Sequence, residues 1–272
     1  MAVNAPTTTT AVRPANAGLR RFMLLLQSNF VMFARNKASL FWVIAFPIAL
    51  TILFGLIWGN LKINTGDPNP PTFISYLVPS MIVLSLMSNG LIGNAAALAV
   101  YRERGILRRI QTTPLPVWQM LLARILMQAV IMVGQSFLLI ATSIVIFNAR
   151  FDAVGLVEAI IPIILGAVLF MAMGMAIAAL VRKAETVNVV AQMINFPLMF
   201  LGGLAIPLSQ LPKPLQVFGS YLPSSMMADL VRAPMLAGMN VDPALPLAVS
   251  LVGVLIYFLI SVVIAARFFK WS

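Results

Sequence analysis

Long apolar stretches without charged residues alternate with short basic clusters along this chain of 272 residues. Six stretches contain no acidic or basic residue, at 38–61, 68–101, 125–149, 159–181, 186–212 and 243–266. Each is long enough for a membrane-spanning helix, which needs about 20 apolar residues. The pattern predicts an all-α membrane protein with six transmembrane helices, here called spans one to six, at about 39–59, 73–99, 117–147, 156–181, 187–206 and 247–267.

A weaker apolar pattern precedes span one. Its large apolar residues recur at helical spacing and are Leu19, Phe22, Met23, Leu26, Phe30 and Phe33. This spacing predicts an amphipathic interfacial helix at 19–37, although span one extending into water is an alternative. Residues 1–18 lack an apolar core and predict a disordered cytoplasmic tail, and the six-span domain covers 38–272.

The segment between spans five and six, at 207–246, is rich in proline but keeps apolar runs. Two of these runs are Leu215 to Phe218 and Met226 to Val231. Irregular backbone at membrane depth has to be covered by protein. We therefore expect short re-entrant external helices before the last span.

Composition agrees with a membrane protein. Hydrophobic residues make up 61% of the chain and charged residues 9%, whereas soluble domains carry about 25% charged residues. The net charge of +11 would indicate nucleic acid binding on a soluble protein. Here 14 of the 18 Lys and Arg residues fall on the side of the predicted spans that holds both termini. By the positive-inside rule both termini are cytoplasmic, and no nucleic-acid partner is expected.

Several kinds of chemistry are excluded. The chain contains no histidine and no cysteine, which rules out disulfides, Cys/His metal sites and Ser/His nucleophilic pairs. No Gly-x-x-x-x-Gly-Lys loop is present to bind ATP phosphates. No acidic residue lies deep in a predicted span, which disfavours proton-coupled transport. We expect no catalytic residue, metal site or cofactor on this chain.

The segment after span two carries the strongest signal. It reads Glu103-Arg104-Gly105-Ile106-Leu107-Arg108-Arg109-Ile110 and continues Gln111-Thr112-Thr113-Pro114-Leu115-Pro116. A short helix with Leu107 and Ile110 on one side could insert an apolar tip into a soluble partner and surround it with charge pairs. The alternative is that these bases only set the topology and bind anionic headgroups.

A second pattern, Asn195-Phe196-Pro197-Leu198-Met199-Phe200-Leu201-Gly202-Gly203, is followed by Pro207, Leu211-Pro212, Leu222-Pro223 and Arg232. With both patterns the chain resembles the type-2 ABC transporter permease family, in particular the transmembrane subunits of exporters similar to those for daunorubicin resistance. The resemblance extends from the amphipathic helix to span six. It departs at Gly202, where Ser is common.

The resemblance implies a multi-pass permease subunit, without its own ATPase site, in a bacterial plasma membrane. Two copies, or one copy and a close paralogue, would work with separate cytoplasmic ABC ATPase subunits that bind ATP and Mg. The transported substrate would be hydrophobic or amphiphilic: a drug, natural product or lipid. Alternatives are export of a lipid-linked polysaccharide, and an ATP-independent channel or scaffold. The expected ATPase-coupling residues are Glu103, Arg104, Gly105, Leu107, Arg108, Arg109, Arg182, Lys183 and Glu185.

Polar faces on spans two and five are candidates for a translocation path at a dimer axis. They contain Ser85, Asn89, Gln192, Asn195, Phe196, Met199 and Phe200. Uncharged polar groups mixed with Met and Phe suit an amphiphilic substrate, whereas the alternative is ordinary hydrogen bonding between helices.

Two further features predict packing. Small residues at spacings of four in span four, such as Gly174 and Ala178, favour close helix approach, and the face of span three that begins at Arg124 should contact the amphipathic helix or span two.

Overall fold

The computed structural model describes residues 17–59, 72–105, 117–181, 183–239 and 243–268. Within these ranges all regular elements are helices, which confirms the all-α prediction. The α-helices are α1 (Ala17–Arg35), α2 (Lys37–Leu40), α3 (Phe46–Trp58), α4 (Phe73–Ser88), α5 (Ala95–Glu103), α6 (Val117–Phe147), α7 (Ala153–Glu158), α8 (Ile160–Leu180), α9 (Ala184–Leu201), α10 (Lys213–Ser220), α11 (Pro223–Met235) and α12 (Leu247–Phe268). Two π-helical segments, Phe41–Ala45 and Asn89–Asn94, join α2 to α3 and α4 to α5, and a 3-10 turn occupies Leu208–Gln210.

Five helical runs of the described chain are long and apolar enough to cross a membrane. They are Phe41–Trp58, Phe73–Glu103, Leu122–Phe147, Ala153–Leu180 and Leu247–Phe268. Span five, predicted at 187–206, is an 18-residue helix, α9, but it is not among the five. Glu185 and the amide residues Asn188, Gln192 and Asn195 make it less apolar than the others. A sixth crossing therefore stays a prediction.

The end of α9 also differs from the prediction. The helix stops at Leu201, five residues before the predicted boundary, because two glycines follow it. Gly203 has φ of +72°, the left-handed conformation that ends helices and that glycine adopts without steric cost. The chain then turns across the end of the bundle.

At the N-terminal end, Asn36 separates α1 from the helices of span one. Met23 and Phe30, both on the predicted apolar stripe, are exposed, and α1 packs along α6. That α1 lies at the membrane surface stays a prediction.

Helix α8 forms the centre of the bundle. It packs against α12, α4, α6 and the π-helical segment of span two. A methyl group on Gly174 would collide with the carbonyl oxygen of Gly90, and one on Gly90 would collide with the backbone of Phe170. Asn94 donates from Nδ2 to the carbonyl of Met171 at 3.0 Å. The small residues of span four therefore serve close packing.

Helices α10 and α11 form a short hairpin between α9 and α12, which we call the outer hairpin after the side of the membrane predicted for it from the sequence. Helix α11 packs against α4, α7 and α12 and buries Met226, Met227 and Val231. The backbone N–H of Asp152 donates to the carbonyl of Met235 at 3.0 Å. The outer hairpin therefore lies at the end of the bundle where α4 begins and α6 ends.

Candidate functional site

The last residues of span two hold both sides of the turn between α8 and α9. Arg102 donates from Nη1 to the carbonyl of Ala178 at 2.8 Å and from Nη2 to the carbonyl of Val181 at 2.6 Å. Glu103 accepts at Oε1 from the backbone N–H of Ala184 at 2.6 Å. Two consecutive residues thus tie the end of one helix and the start of the next to span two. We call this arrangement the three-helix junction.

The junction follows from the chemistry of helix ends. The last carbonyls of α8 and the first amides of α9 have no partners within their own helices. A cation is favoured at a helix C-terminus and an anion at a helix N-terminus, since both complement the helix dipole. Arg102 and Glu103 supply these charges in that order, through hydrogen bonds of the stronger charge-assisted kind.

The described parts of the two segments expected to couple to an ATPase, 103–105 and 183–185, meet at this junction. Glu103 and Arg104 at the end of α5, and Lys183 and Glu185 beside the turn, are exposed around it. Gly105 ends the helix with φ of +65°. The other expected coupling residues, Leu107, Arg108, Arg109 and Arg182, lie outside the described residues. The sequence interpretation missed Arg102, although a base in the last turn of a helix is a recognisable signal.

A second basic group, Arg124, links span three to span two beside the junction. It donates from Nη1 to Oη of Tyr101 at 2.8 Å and from Nε to Oδ1 of Asn94 at 3.3 Å. Its Cζ lies 5.1 Å from the centre of the Tyr101 ring, close enough for a cation–π contact. Arg124 thus contacts span two, one of the two elements expected for its face of span three, and α1 also packs against α6.

The seven candidate path residues divide into two groups. Gln192, Phe196 and Phe200 lie on one exposed stripe of α9, and Phe196 is 52% exposed. Ser85 and Asn195 are buried, each with 6% exposure, while Asn89 and Met199 are half-buried.

Asn195 has a partner inside the chain. Ser88 donates from Oγ to its Oδ1 at 3.4 Å, and Asn89 donates to the carbonyl of Ser85 at 2.9 Å. The structure therefore places Ser85 and Asn195 between helices. The exposed stripe of α9 is the part of the set that can face a substrate or another chain.

A buried ion pair lies within α11, and its arginine contacts span two. Arg232 Nη1 lies 3.1 Å from Asp229 Oδ1, and Arg232 Nη2 donates to Ser80 Oγ at 2.7 Å. The guanidinium carbon lies 3.8 Å from the centre of the Tyr76 ring. Asp229 Oδ2 accepts from the backbone N–H of Ala244 at 2.9 Å.

Burial raises the pKa of Asp229 above its ordinary value, whereas Arg232 and the backbone amides of Ala244 and Leu245 lower the pKa and offset part of that rise. Removing one member of a buried pair costs about 3–5 kcal/mol, because the other charge remains buried without a partner. The pair therefore helps to hold the outer hairpin on α4. In the sequence, Arg232 is part of a predicted motif without a predicted partner.

Comparison with known proteins identifies the family. The model of the ABC-2 type transporter family matches residues 20–236. The chain belongs to the ABC-2 type transporter family. The matched region covers the three-helix junction, the exposed stripe of α9 and the Asp229–Arg232 pair of this ABC-2 permease.

Several bacterial relatives are similar over most of the chain. A Bacillus subtilis protein named as a transport permease, YvfS, is 29% identical over 70% of this chain and 75% of its own. Nodulation protein J of Rhizobium leguminosarum is 25% identical over 92% of this chain and 96% of its own. A Mycobacterium tuberculosis protein, DrrC, whose name describes a doxorubicin resistance ABC transporter permease, is 25% identical over 89% of this chain and 87% of its own. Two of these three relatives, YvfS and DrrC, are named as permeases.

Proposed function

We propose that this ABC-2 permease is the membrane subunit of an ATP-driven exporter, and that a separate ATPase subunit docks at the three-helix junction. The observation that carries the proposal is the pair of contacts made by Arg102 and Glu103. A partner that presses on this end of the bundle meets α5, α8 and α9 as one connected unit. Motion of the ATPase would then reach three membrane helices together.

The exposed charges around the junction suit a soluble partner. Glu103, Arg104, Lys183 and Glu185 include both signs, so the surface can form charge pairs of either polarity. We place this end of the bundle and both termini in the cytoplasm, in agreement with the positive-inside rule. ATP and Mg would bind to the partner subunit.

A second copy of the permease, or a close paralogue, would complete the transporter. The stripe of α9 with Gln192, Phe196 and Phe200 is exposed on the single chain and mixes an amide with aromatic rings. Facing its counterpart across a dimer axis, such a stripe could line a path for a hydrophobic or amphiphilic substrate. Export of a drug, natural product or lipid is therefore the function we favour, and the name of the mycobacterial relative agrees with a drug.

Export of a lipid-linked polysaccharide is the second candidate. The exposed stripe does not distinguish it from a drug, because both substrates are amphiphilic. A passive channel is the alternative to an exporter that belongs to a different functional class. Dependence on ATP separates it from an exporter.

The test is transport into inside-out vesicles. The permease is co-expressed with candidate ABC ATPases, and the complex is isolated through a tag on the permease. Uptake of doxorubicin is then measured with ATP, without ATP, and with an ATPase that lacks its phosphate-loop lysine. ATP-dependent uptake supports the proposal. Equal flux in all three conditions would favour a channel.

A further inference from the structure

A cavity of about 350 Å³ with a mixed polar and apolar lining lies between the outer hairpin and span two. Its volume falls in the range of about 300–1,000 Å³ that is usual for ligand pockets. The lining includes Asp229, Arg232, Tyr76, Ser209, Ser225 and Gln216. The cavity is therefore large enough for a small polar group and offers hydroxyl, amide and charged partners.

The charged wall of this cavity is held in place. Arg232 is bound by Asp229 and Ser80, and Asp229 is also bound by the backbone of Ala244. A carboxylate has about four acceptor sites, so Asp229 can accept one more hydrogen bond besides those from Arg232 and from the backbone of Ala244 and Leu245, and each terminal guanidinium nitrogen of Arg232 carries a second hydrogen. Because the two charges cancel, the wall favours neither an anion nor a cation. It suits a neutral group that both donates and accepts hydrogen bonds, and hydroxyl groups do both.

An apolar cleft of about 230 Å³ lies at the same end of the bundle. It is lined mainly by Phe54, Trp58, Phe73, Leu77, Phe200 and Ile206. The Trp58 ring lies 5.5 Å from the Phe54 ring and 6.3 Å from the Phe73 ring, measured between centroids. Such a cleft suits an alkyl chain, which gains about 0.8 kcal/mol for each buried CH₂ group.

The cavity and the cleft share two structural elements. Tyr76 lines the cavity, while Phe73 and Leu77, from the same part of α4, line the cleft. After α9, Gly203 lines the cavity and Ala205 lines the cleft. A molecule with a polar head and a short apolar tail could therefore contact both without crossing the bundle.

We infer that the outer hairpin and span two form a binding site for an amphiphile with a hydroxyl-rich headgroup, such as a glycosyl lipid. The cavity takes the headgroup and the apolar cleft takes the start of the chain. This inference names a substrate class for the proposed exporter, and so it depends on the proposed function for its biological meaning. The binding itself can be measured without transport.

Trp58 provides the measurement, since it lies in the cleft. The other three tryptophans, Trp42, Trp118 and Trp271, are changed to Phe, and the full-length permease is placed in phosphatidylcholine nanodiscs. Octyl β-glucoside is added below its micelle concentration, and Trp58 fluorescence is recorded. Octyl phosphocholine has the same tail with a charged headgroup, and glucose has the headgroup without a tail.

Two neighbouring residues give matched variants. Ser209 and Gln210 are both exposed in the same 3-10 turn, but of the two only Ser209 lines the cavity. We expect Ser209→Phe to raise the Kd for octyl β-glucoside about tenfold, which is about 1.4 kcal/mol, and Gln210→Phe to leave it within about twofold. Size-exclusion profiles check that both variants stay folded.

The inference is overturned if both variants weaken binding equally, or if octyl phosphocholine binds as tightly as the glucoside. It is also overturned if glucose alone competes at the same concentration, because the cleft would then contribute nothing. ATP and an ATPase are absent from this assay. A failure of ATP-dependent export would thus leave a positive result standing, and a negative result would leave the export proposal standing.

Discussion

The carboxylate of Glu103 accepts a hydrogen bond from the backbone N–H of Ala184 at 2.6 Å, so the last residue of α5 caps the first turn of α9. The two residues are 81 positions apart in the chain. A residue expected to contact another subunit therefore already has a partner inside its own chain. Because Glu103 both caps α9 and is expected to contact the ATPase, it is the most informative residue for testing how the permease couples to an ATPase.

We predict that Glu103→Ala uncouples ATP hydrolysis from transport, whereas Glu103→Gln keeps most of the coupling. The amide oxygen of Gln can still accept from the N–H of Ala184, but the methyl group of Ala cannot. Loss of a helix cap costs about 0.5–2 kcal/mol, which is enough to loosen the start of α9 without unfolding the protein. The ratio of ATP hydrolysed to substrate transported is the measurement.

Glu158→Ala is the matched control for Glu103→Ala, because Glu158 is also an exposed carboxylate but lies before the start of α8, at the opposite end of that helix from the junction. If Glu103 acts mainly by pairing with a base of the ATPase, Glu103→Gln should fail as badly as Glu103→Ala. Equal loss in both variants would therefore rule out the capping role.

For the translocation path, we predict that Gln192→Trp and Phe196→Trp block transport while the complex stays assembled. Both side chains are exposed on α9, so a larger ring meets no packed neighbour in the single chain. Asn195→Ala should instead lower stability by about 0.5–1.5 kcal/mol, the net value of one hydrogen bond, and leave transport largely intact. Transport in vesicles and thermal unfolding of the purified variants distinguish the two effects. Full transport by both tryptophan variants would remove the stripe from the path.

Much of the fold could be predicted from the sequence, because lipid demands long apolar helices. Span three, predicted at 117–147, is the helix Val117–Phe147. The sequence does not predict in the same way which residues of the α9 polar face are buried and which are exposed. Asn195 and Gln192 lie three positions apart and belong to the same predicted polar face, yet one is buried and the other exposed. Which part of a helix faces its neighbours depends on how α9 is rotated against α4 and α5, and periodicity alone does not give that rotation.

The Asp229–Arg232 cluster shows a second limit of sequence reasoning. The two residues are three positions apart, which makes their pairing foreseeable on a helix. Ser80, however, is 152 positions from Arg232. A contact over that separation follows from the way the outer hairpin folds over α4. No local pattern predicts it.

The orientation of the chain can be tested with single cysteines, since the sequence has none. We predict that an impermeant thiol reagent applied outside the cell labels Asn148→Cys and Ala237→Cys, but does not label Arg104→Cys or Lys183→Cys. All four positions are exposed. Their neighbours Ala149 and Ala184 are buried and would resist labelling on either side. Labelling of the second pair alone would reverse the orientation.

The raised pKa of Asp229 predicts a dependence of stability on pH. With a raised pKa, the folded protein holds the carboxyl proton of Asp229 more tightly than the unfolded chain does. The free energy of unfolding should therefore fall as pH rises from the ordinary aspartate pKa to the raised pKa of the folded protein. The contribution of the protonated group is complete below that window and lost above it. Asp229→Asn should remove this component, so unfolding temperatures of the wild type and variant are compared across acidic pH. Parallel curves for the two proteins would contradict the assignment.

Two glycines provide a last prediction, about packing in the bundle. A methyl group at Gly174 would collide with the carbonyl oxygen of Gly90, whereas one at Gly134 would meet nothing within 4 Å. Gly174→Ala should therefore destabilise the protein by about 1–3 kcal/mol, the usual cost of overpacking. Gly134→Ala should stabilise it by up to about 1 kcal/mol, because Ala favours the helix more than Gly does. Both glycines lie inside long helices, so intrinsic helix propensity favours Ala at each, and the opposite expectations come from the backbone contacts at Gly174. The unfolding temperatures of the two variants and the wild type are measured by size-exclusion chromatography after heating. A stabilised Gly174→Ala protein would show that α8 and the π-helical segment Asn89–Asn94 are not packed this closely.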